Sequence, residues 1–256
     1  MPKKPGDAFT NPRLSLDTLD IYLVRSAVLA RLKRAAPLFF GTLIDVGCGL
    51  APYRELILSC GRVERYIGLD LENDAIYGKN HDLAWDGVTV PLPENSVDCA
   101  MATEVLEHCP DPEAVLREIF RITRPGGVLF FTVPFLWPLH DVPHDQYRFT
   151  PFSLARHLEQ AGFAELQLHP LGGWDQSVAQ MIGLFVRRRP MPAPIRFLAS
   201  LAALPLIYLA ARLPGGDRLP AVETVGDRLF SGARMFTGIS GVARKPGASN
   251  GYQIKG

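Results

Sequence analysis

The sequence predicts an α/β fold, and three observations carry that prediction. A short β-branched apolar run, Leu43-Ile44-Asp45-Val46, breaks into Gly47-Cys48-Gly49 and then meets Pro52, a residue suited to the first turn of a helix. A second apolar run closes on Asp70, 25 positions after Asp45. Beyond it, strand-like and helix-like segments alternate, with helix starts marked by Asp111-Pro112 and Thr150-Pro151.

Taken in order, Ser15–Ala35 reads as an amphipathic helix, with Leu16, Leu19, Leu23, Ala27 and Ala30 at spacings of three and four. Strands follow at Thr42–Val46, Tyr66–Asp70, Val97–Thr103 and Val128–Val133, with a further one near His81–Asp86. A helix over Pro52–Cys60 stops at Gly61, a natural residue to end one. Only about a dozen residues separate Asp70 from Asp82, so the crossover between those strands is cut to a turn or so. The helix that Asp111 caps runs up to Pro125-Gly126-Gly127, and the helix that opens at Thr150 ends at Gly162. Ala164–His169 reads as a sixth strand and Phe236–Arg244 as the closing seventh. The chain therefore reads as one domain over 1–245, with a helical insertion at about 178–232 and a flexible tail at 246–256.

The 256 residues are 47% hydrophobic and 21% charged, a globular composition. A net charge of +1 gives no reason to expect a nucleic-acid partner, which needs a basic face. The start, MPKKPGDAFTNP, has no apolar stretch after its lysines, so no secretory signal is expected. Cys48, Cys60, Cys99 and Cys109 form no C-x-x-C pair, which fits a reduced, cytoplasmic setting.

A strand that turns on glycines into a helix exposes backbone N–H groups to a ligand, and an acid closing the next strand suits the two hydroxyls of a ribose. A dinucleotide fingerprint would place a third glycine where Pro52 stands, which argues against an NAD-linked oxidoreductase. The order of Asp45–Gly49 (DVGCG), Pro91–Asp98 (PLPENSVD), Glu104–His108 (EVLEH) and Arg121–Gly127 (RITRPGG) resembles the class I S-adenosylmethionine (SAM) dependent methyltransferases, in particular the type 11-like branch. The resemblance runs from about Leu43 to about Gly162. It implies a Rossmann-like, mostly parallel seven-stranded sheet flanked by helices and SAM as cofactor. Asp45, Gly47, Gly49 and Asp70 would hold the cofactor, with Leu71 and Trp85 as walls for adenine. Asp86, or alternatively Asp82, would accept from the adenine amino group, and Glu104 would face the methionine end. His108 is more often structural in that family.

The loop Pro134–Thr150 holds His140, Asp141, His144, Asp145, Tyr147 and Arg148, an unusual set for a plain connector at a strand's carboxyl end. His140 or His144 is the candidate base, and Arg148 is either a clamp for an anionic acceptor or a fastening for the loop through Asp141 or Asp145. A metal reading of His140-x-x-x-His144 is set aside, because Pro143 disrupts a helix that would stack the two rings. The segment also resembles the P-H-D-x-x-R-[FY]-T stretch of methyltransferases associated with cell-surface glycan or lipid-linked sugar synthesis. The expected acceptor is a small molecule, a glycan or a lipid-linked species. A non-catalytic, membrane-associated SAM-binding subunit is the other alternative.

Phe197–Ala211 carries no charge, falls short of a bilayer span and is interrupted by Pro205. Arginines 187, 188, 189, 196, 212 and 218 flank it. The pattern fits a helix lying in an anionic membrane interface, and equally an active-site cap or a dimer contact.

Overall fold

The computed structural model describes residues 7–72, 81–213 and 235–247. Its elements are α1 (Asp7–Thr10), α2 (Tyr22–Ala35), β1 (Gly41–Val46), α3 (Arg54–Ser59), β2 (Val63–Leu71), β3 (Leu83–Trp85), β4 (Val97–Thr103), α4 (Pro112–Ile122), β5 (Thr123–Pro134), α5 (Pro151–Gln160), β6 (Ala164–Leu171), α6 (Trp174–Arg188), α7 (Ala193–Ala210) and β7 (Gly238–Arg244). The strands form one sheet in the order β3-β2-β1-β4-β5-β7-β6. The pairings from β3 through β5 are parallel, while β7 runs antiparallel to both β5 and β6. The strand order reverses between β1 and β4, the place where an open α/β sheet leaves a crevice at its carboxyl edge.

Alternation along the strands loads both faces. Ile44, Val46, Leu69, Ala100, Ala102, Leu129 and Phe131 point to the side covered by α4 and α5. Leu43, Tyr66, Cys99, Met101, Val128 and Phe130 point to the side covered by α2 and α3. Helix α4 is positioned by local chemistry: Asp111 accepts from the Ala114 N–H at 2.9 Å, Pro112 fills the first turn, and Val115, Leu116, Ile119 and Ile122 make a buried stripe. Thr150 and Ser153 cap α5 reciprocally.

The first expected helix is shorter than its periodicity suggests. Residues 15–21 form turns and the helix begins at Tyr22, because the Thr18 hydroxyl accepts from the Ser15 N–H (2.9 Å) and donates to the Arg13 carbonyl (2.7 Å). Leu19 and Leu23 are still buried, but in a third cluster with Ala179 and Val186 of α6 and Ala203, Ile207 and Ala210 of α7. The insertion thus begins earlier than expected, at Trp174, and docks on the N-terminal turn. A Cβ at Gly183 would run into the Leu19 carbonyl, Gln180 donates to the Asp20 carbonyl, and Arg188 pairs with Asp20 at 2.7 Å. The remainder of the insertion from residue 214 to 234, and the tail from 248, lie outside the described residues.

Candidate functional site

At the crevice, β1 passes through Asp45 into a tight loop. Gly47 and Gly49 both take left-handed backbone angles, φ +66° and +53°. The Gly47 and Cys48 N–H groups donate to the Leu69 carbonyl at 2.8 and 3.1 Å. Asp70 closes the arrangement: its Oδ2 accepts from the Gly49 N–H at 2.6 Å and its Oδ1 from the Leu71 N–H at 2.8 Å. One carboxylate at the end of β2 therefore fixes the shape of the loop after β1. A Cβ on Gly47 would lie 2.5 Å from a Val105 methyl group. The turn is a cradle that only glycine leaves open.

Asp45 is 1% exposed and accepts from the Tyr66 hydroxyl. Burial pushes its pKa up to about 7 from an ordinary 3.8, and the Tyr66 hydrogen bond only partly opposes this. The folded chain keeps a proton on this group that the unfolded chain loses, so stability falls as pH rises from about 4 to about 7 and stays lower above that. Asp45→Asn is expected to remove this dependence. The variant's melting temperature, measured without cofactor, should gain several degrees on the wild type between about pH 5 and pH 8, at about 2–4 °C per kcal/mol. A constant difference across that range overturns the assignment.

Asp86 follows β3 and accepts from the Val88 and Thr89 N–H groups at 2.8 and 2.6 Å, which hold its carboxyl below the usual range. Asp82 sits at the other end of β3, opposite Gly68, where it accepts from Gly68 and Arg54 (2.7 and 2.6 Å). Of the two, Asp86 alone lies at the carboxyl edge. Leu71 is exposed there, but Trp85 is 8% exposed and packs in the core with Ile67 and Leu69. Trp85 thus packs as a core residue, and Leu71 is the exposed apolar side chain at that edge.

Glu104 ends the fourth strand's run with a left-handed φ of +57°, unusual for a side chain of this size. Burial pushes its pKa up to about 7. The next turn, Leu106–His108, brings Glu107 fully inside, with both carboxylate oxygens lacking a hydrogen-bond partner among the described residues. Burial holds the Glu107 pKa well above the usual carboxylate range. The Glu107 carbonyl accepts from the Gln146 and Tyr147 N–H groups at 2.8 and 3.1 Å, seating the long loop after β5 on this turn. That packing sets His140 against His108, ring centres 4.8 Å apart. His108 Nε2 lies 3.6 Å from Glu107 Oε1 and 3.9 Å from Asp141 Oδ2, while its Nδ1 meets the His144 carbonyl at 3.3 Å. Burial, and then His140, holds the His108 pKa below the usual imidazole value.

The fold decides between the readings open for this loop. The aspartates flanking His144 turn to other partners, Asp145 to His140 Nδ1 (3.2 Å) and Asp141 to His108, and the His144 side chain is exposed. The Arg148 guanidinium grips Asp145 with two bonds of 2.5 and 2.7 Å and adds the Tyr147 and Trp137 carbonyls at 2.8 and 3.3 Å. This holds the Asp145 carboxyl at about 2. Arg148 is committed to the loop itself, a fastening rather than a free clamp. Glu107 and His108 were not singled out as site residues; the signal was the acid-x-x-acid-His spacing immediately beyond a strand end.

Beside the same loop, Leu136 forms one wall of a cavity of about 400 Å³ that Trp174, Val178, Met181, Ile182, Phe185 and Met235 complete, with Ser177 between them. Its lining is almost wholly apolar.

Residues 44–131 match the family described as Methyltransferase domain. A malonyl-[acyl-carrier protein] O-methyltransferase of Serratia marcescens is 33% identical over 96 residues, 35% of this chain and 37% of that protein. A sterol 24-C-methyltransferase of Aspergillus fumigatus is 36% identical over 98 residues, 33% of this chain and 26% of that one. The matches thus span about a third of the curated relatives. The crystal structure of a SAM dependent methyltransferase from Archaeoglobus fulgidus superposes with a TM-score of 0.51 at 18% identity, covering 86% of this chain and 94% of that one. It shares the fold.

Proposed function

We propose that the chain, whose residues 44–131 match the Methyltransferase domain family and resemble the type 11 branch of the class I SAM-dependent methyltransferases, moves a methyl group from SAM to an acceptor with an apolar, lipid-like part. The observation that carries this reading is the cradle of Gly47, Gly49 and Asp70, which shares one sheet edge with the loop holding His140 and Arg148. Asp45, Gly47, Gly49 and Asp70 would hold the ribose and amino-acid parts of the cofactor, Leu71 and Asp86 the adenine, and Glu104 the methionine ammonium. SAM, when bound, supplies an electrophilic methyl group on a sulfonium. The protein's part is to hold the nucleophile in line and exclude water. His140, kept oriented by Asp145 and through it by Arg148, replaces His144 as the residue best supported to take a proton from an acceptor hydroxyl.

The apolar cavity beside Leu136 favours a lipid-linked acceptor over a free glycan. The surface of α6 and α7 points the same way. Helix α7 buries Ser200, Ala203, Ile207 and Ala210 against the protein and leaves Phe197, Leu198, Leu206 and Leu209 exposed. It is long and apolar enough to span a membrane by composition, but the packed face suits a helix lying in the interface. Between Gln176 and Leu213 the chain holds five arginines and no acid. These features support peripheral contact with an anionic cytoplasmic membrane face over a cap or dimer contact.

The full chain is expected to co-sediment with vesicles containing anionic lipid, and added salt should release it. Reversing Arg189, Arg196 and Arg212 to Glu should weaken partitioning by roughly 100-fold or more, since each basic residue near such a surface contributes about 1 kcal/mol. Equal recovery with neutral and anionic vesicles overturns the membrane reading. Methyl-labelled SAM incubated with a membrane lipid extract tests the chemistry: label should pass to the organic phase. SAM binding without transfer to any lipid, glycan or small-molecule fraction would instead favour the non-catalytic subunit.

A further inference from the structure

We propose that Glu107, His108 and His140 form a binding site for a divalent transition-metal cation, with Asp141 within reach as a fourth ligand. One ligand atom from each of the first three residues lies within 4.8 Å of the others. Tetrahedral bonds of about 2.1 Å put ligand atoms about 3.4 Å apart, so closure needs side-chain rotations that bring the most distant pair roughly 1.4 Å closer.

Four features favour a cation here. Glu107 is fully buried with both oxygens unpartnered among the described residues, and it faces the His108 ring at 3.6 Å. A buried carboxylate in that state is costly unless something positive or a proton meets it. Both imidazoles are oriented as metal ligands are: His108 Nδ1 meets the His144 carbonyl at 3.3 Å and His140 Nδ1 meets the Asp145 carboxylate at 3.2 Å, which leaves Nε2 of each ring with its lone pair. Asp145 is in turn gripped by Arg148, so this outer support does not depend on a metal. Two carboxylates, Glu107 and Asp141, flank His108 Nε2 and supply the charge that a dication needs. Two imidazoles with carboxylate oxygen favour manganese, iron, cobalt or zinc over magnesium or calcium, which prefer all-oxygen sites.

The pair that ligates is not the pair the local spacing offers. Pro143 does keep His140 and His144 from sharing a helical face, and His108, 32 positions before His140, takes the second imidazole's place because the loop is seated on the Glu107 carbonyl. If the methyl-transfer reading holds, a cation here would bind an acceptor oxygen and favour its deprotonated form, replacing proton transfer to His140, whose Nε2 lone pair the cation would occupy. Metal binding itself does not depend on that reading.

The test titrates chelator-treated full-length protein with Co²⁺, followed by calorimetry and visible absorption, with SAM affinity measured in parallel. One Co²⁺ per chain is expected. His108→Ala and His140→Ala should each weaken it by more than the roughly 10–100-fold that losing an outer-shell partner costs, His144→Ala should leave it unchanged, and SAM affinity should hold in all three. No saturable uptake by the wild type, or equal Co²⁺ affinity in wild type and the His108 and His140 variants, overturns the site and makes a proton the partner of Glu107. Should either variant fail to fold, Co²⁺-induced shifts of histidine ring protons in the wild type decide: shifts at His108 and His140 support the site, and shifts confined to other histidines overturn it. Loss of SAM binding in the wild type would sink the methyltransferase reading and leave the metal result standing.

Discussion

Asp70→Ala is expected to weaken SAM binding at least about 100-fold. The carboxylate does two jobs in the proposed site. It holds the glycine loop by accepting from the Gly49 and Leu71 N–H groups at 2.6 and 2.8 Å, and its remaining lone pairs would be the ribose acceptors. Hydrogen bonds to a charged group contribute about 1.5–3 kcal/mol each, so losing two or more of them reaches that factor. Asp70→Asn keeps one oxygen acceptor and should fall between the wild type and the alanine variant. Calorimetry with SAM and with its demethylated product reads the effect, and circular dichroism checks that the variant folds. An unchanged affinity in folded Asp70→Ala would take Asp70 out of the site.

The placement of Asp70 against the glycine loop was legible because its signal is local: an acid at the end of an apolar run, one strand away from a glycine break. The same holds for the Asp111-Pro112 and Thr150-Pro151 helix starts and for the fourth strand, whose bounds match the structure residue for residue. Local signals failed where side chains offered the backbone a competing partner. Leu16 and Leu19 keep the spacing of a helix, yet Ser15 and Thr18 hold that stretch in turns. They failed again where the outcome depends on contacts across many residues. Asp141 and Asp145 flank His144 in sequence, but the seating of Gln146 and Tyr147 on Glu107 turns both acids toward His108 and His140. Arg148 shows the same effect, since both of its readings were compatible with the sequence and only the fold selects Asp145. In α7, the uncharged run is compatible with an interfacial helix, a cap or a dimer contact alike, while the burial of Ser200, Ala203, Ile207 and Ala210 comes from docking on α6 and Leu19.

The glycine loop permits a second large effect whose two causes can be separated. Gly47→Ala is expected to destabilise the chain by about 2–5 kcal/mol and to lower its melting temperature by roughly 5–15 °C. Part of this is the backbone: at φ +66° a residue with a Cβ is disfavoured by about 1–2 kcal/mol. The rest is steric, because the new methyl would meet Val105 at 2.5 Å and force it off its packing at about 1–3 kcal/mol. Val105→Ala removes the obstacle and leaves the backbone unchanged. In a double-mutant cycle, Gly47→Ala and Val105→Ala should therefore couple favourably by about 1–3 kcal/mol, with the backbone part persisting in the double variant. Denaturant titration of the four proteins measures the coupling. A coupling of zero would show that Val105 yields freely and that the cost lies in the turn alone. A Gly47→Ala variant as stable as the wild type, with SAM affinity intact, would mean that the loop after β1 does not need its left-handed turn, and with it would go the case for a backbone cradle at this sheet edge.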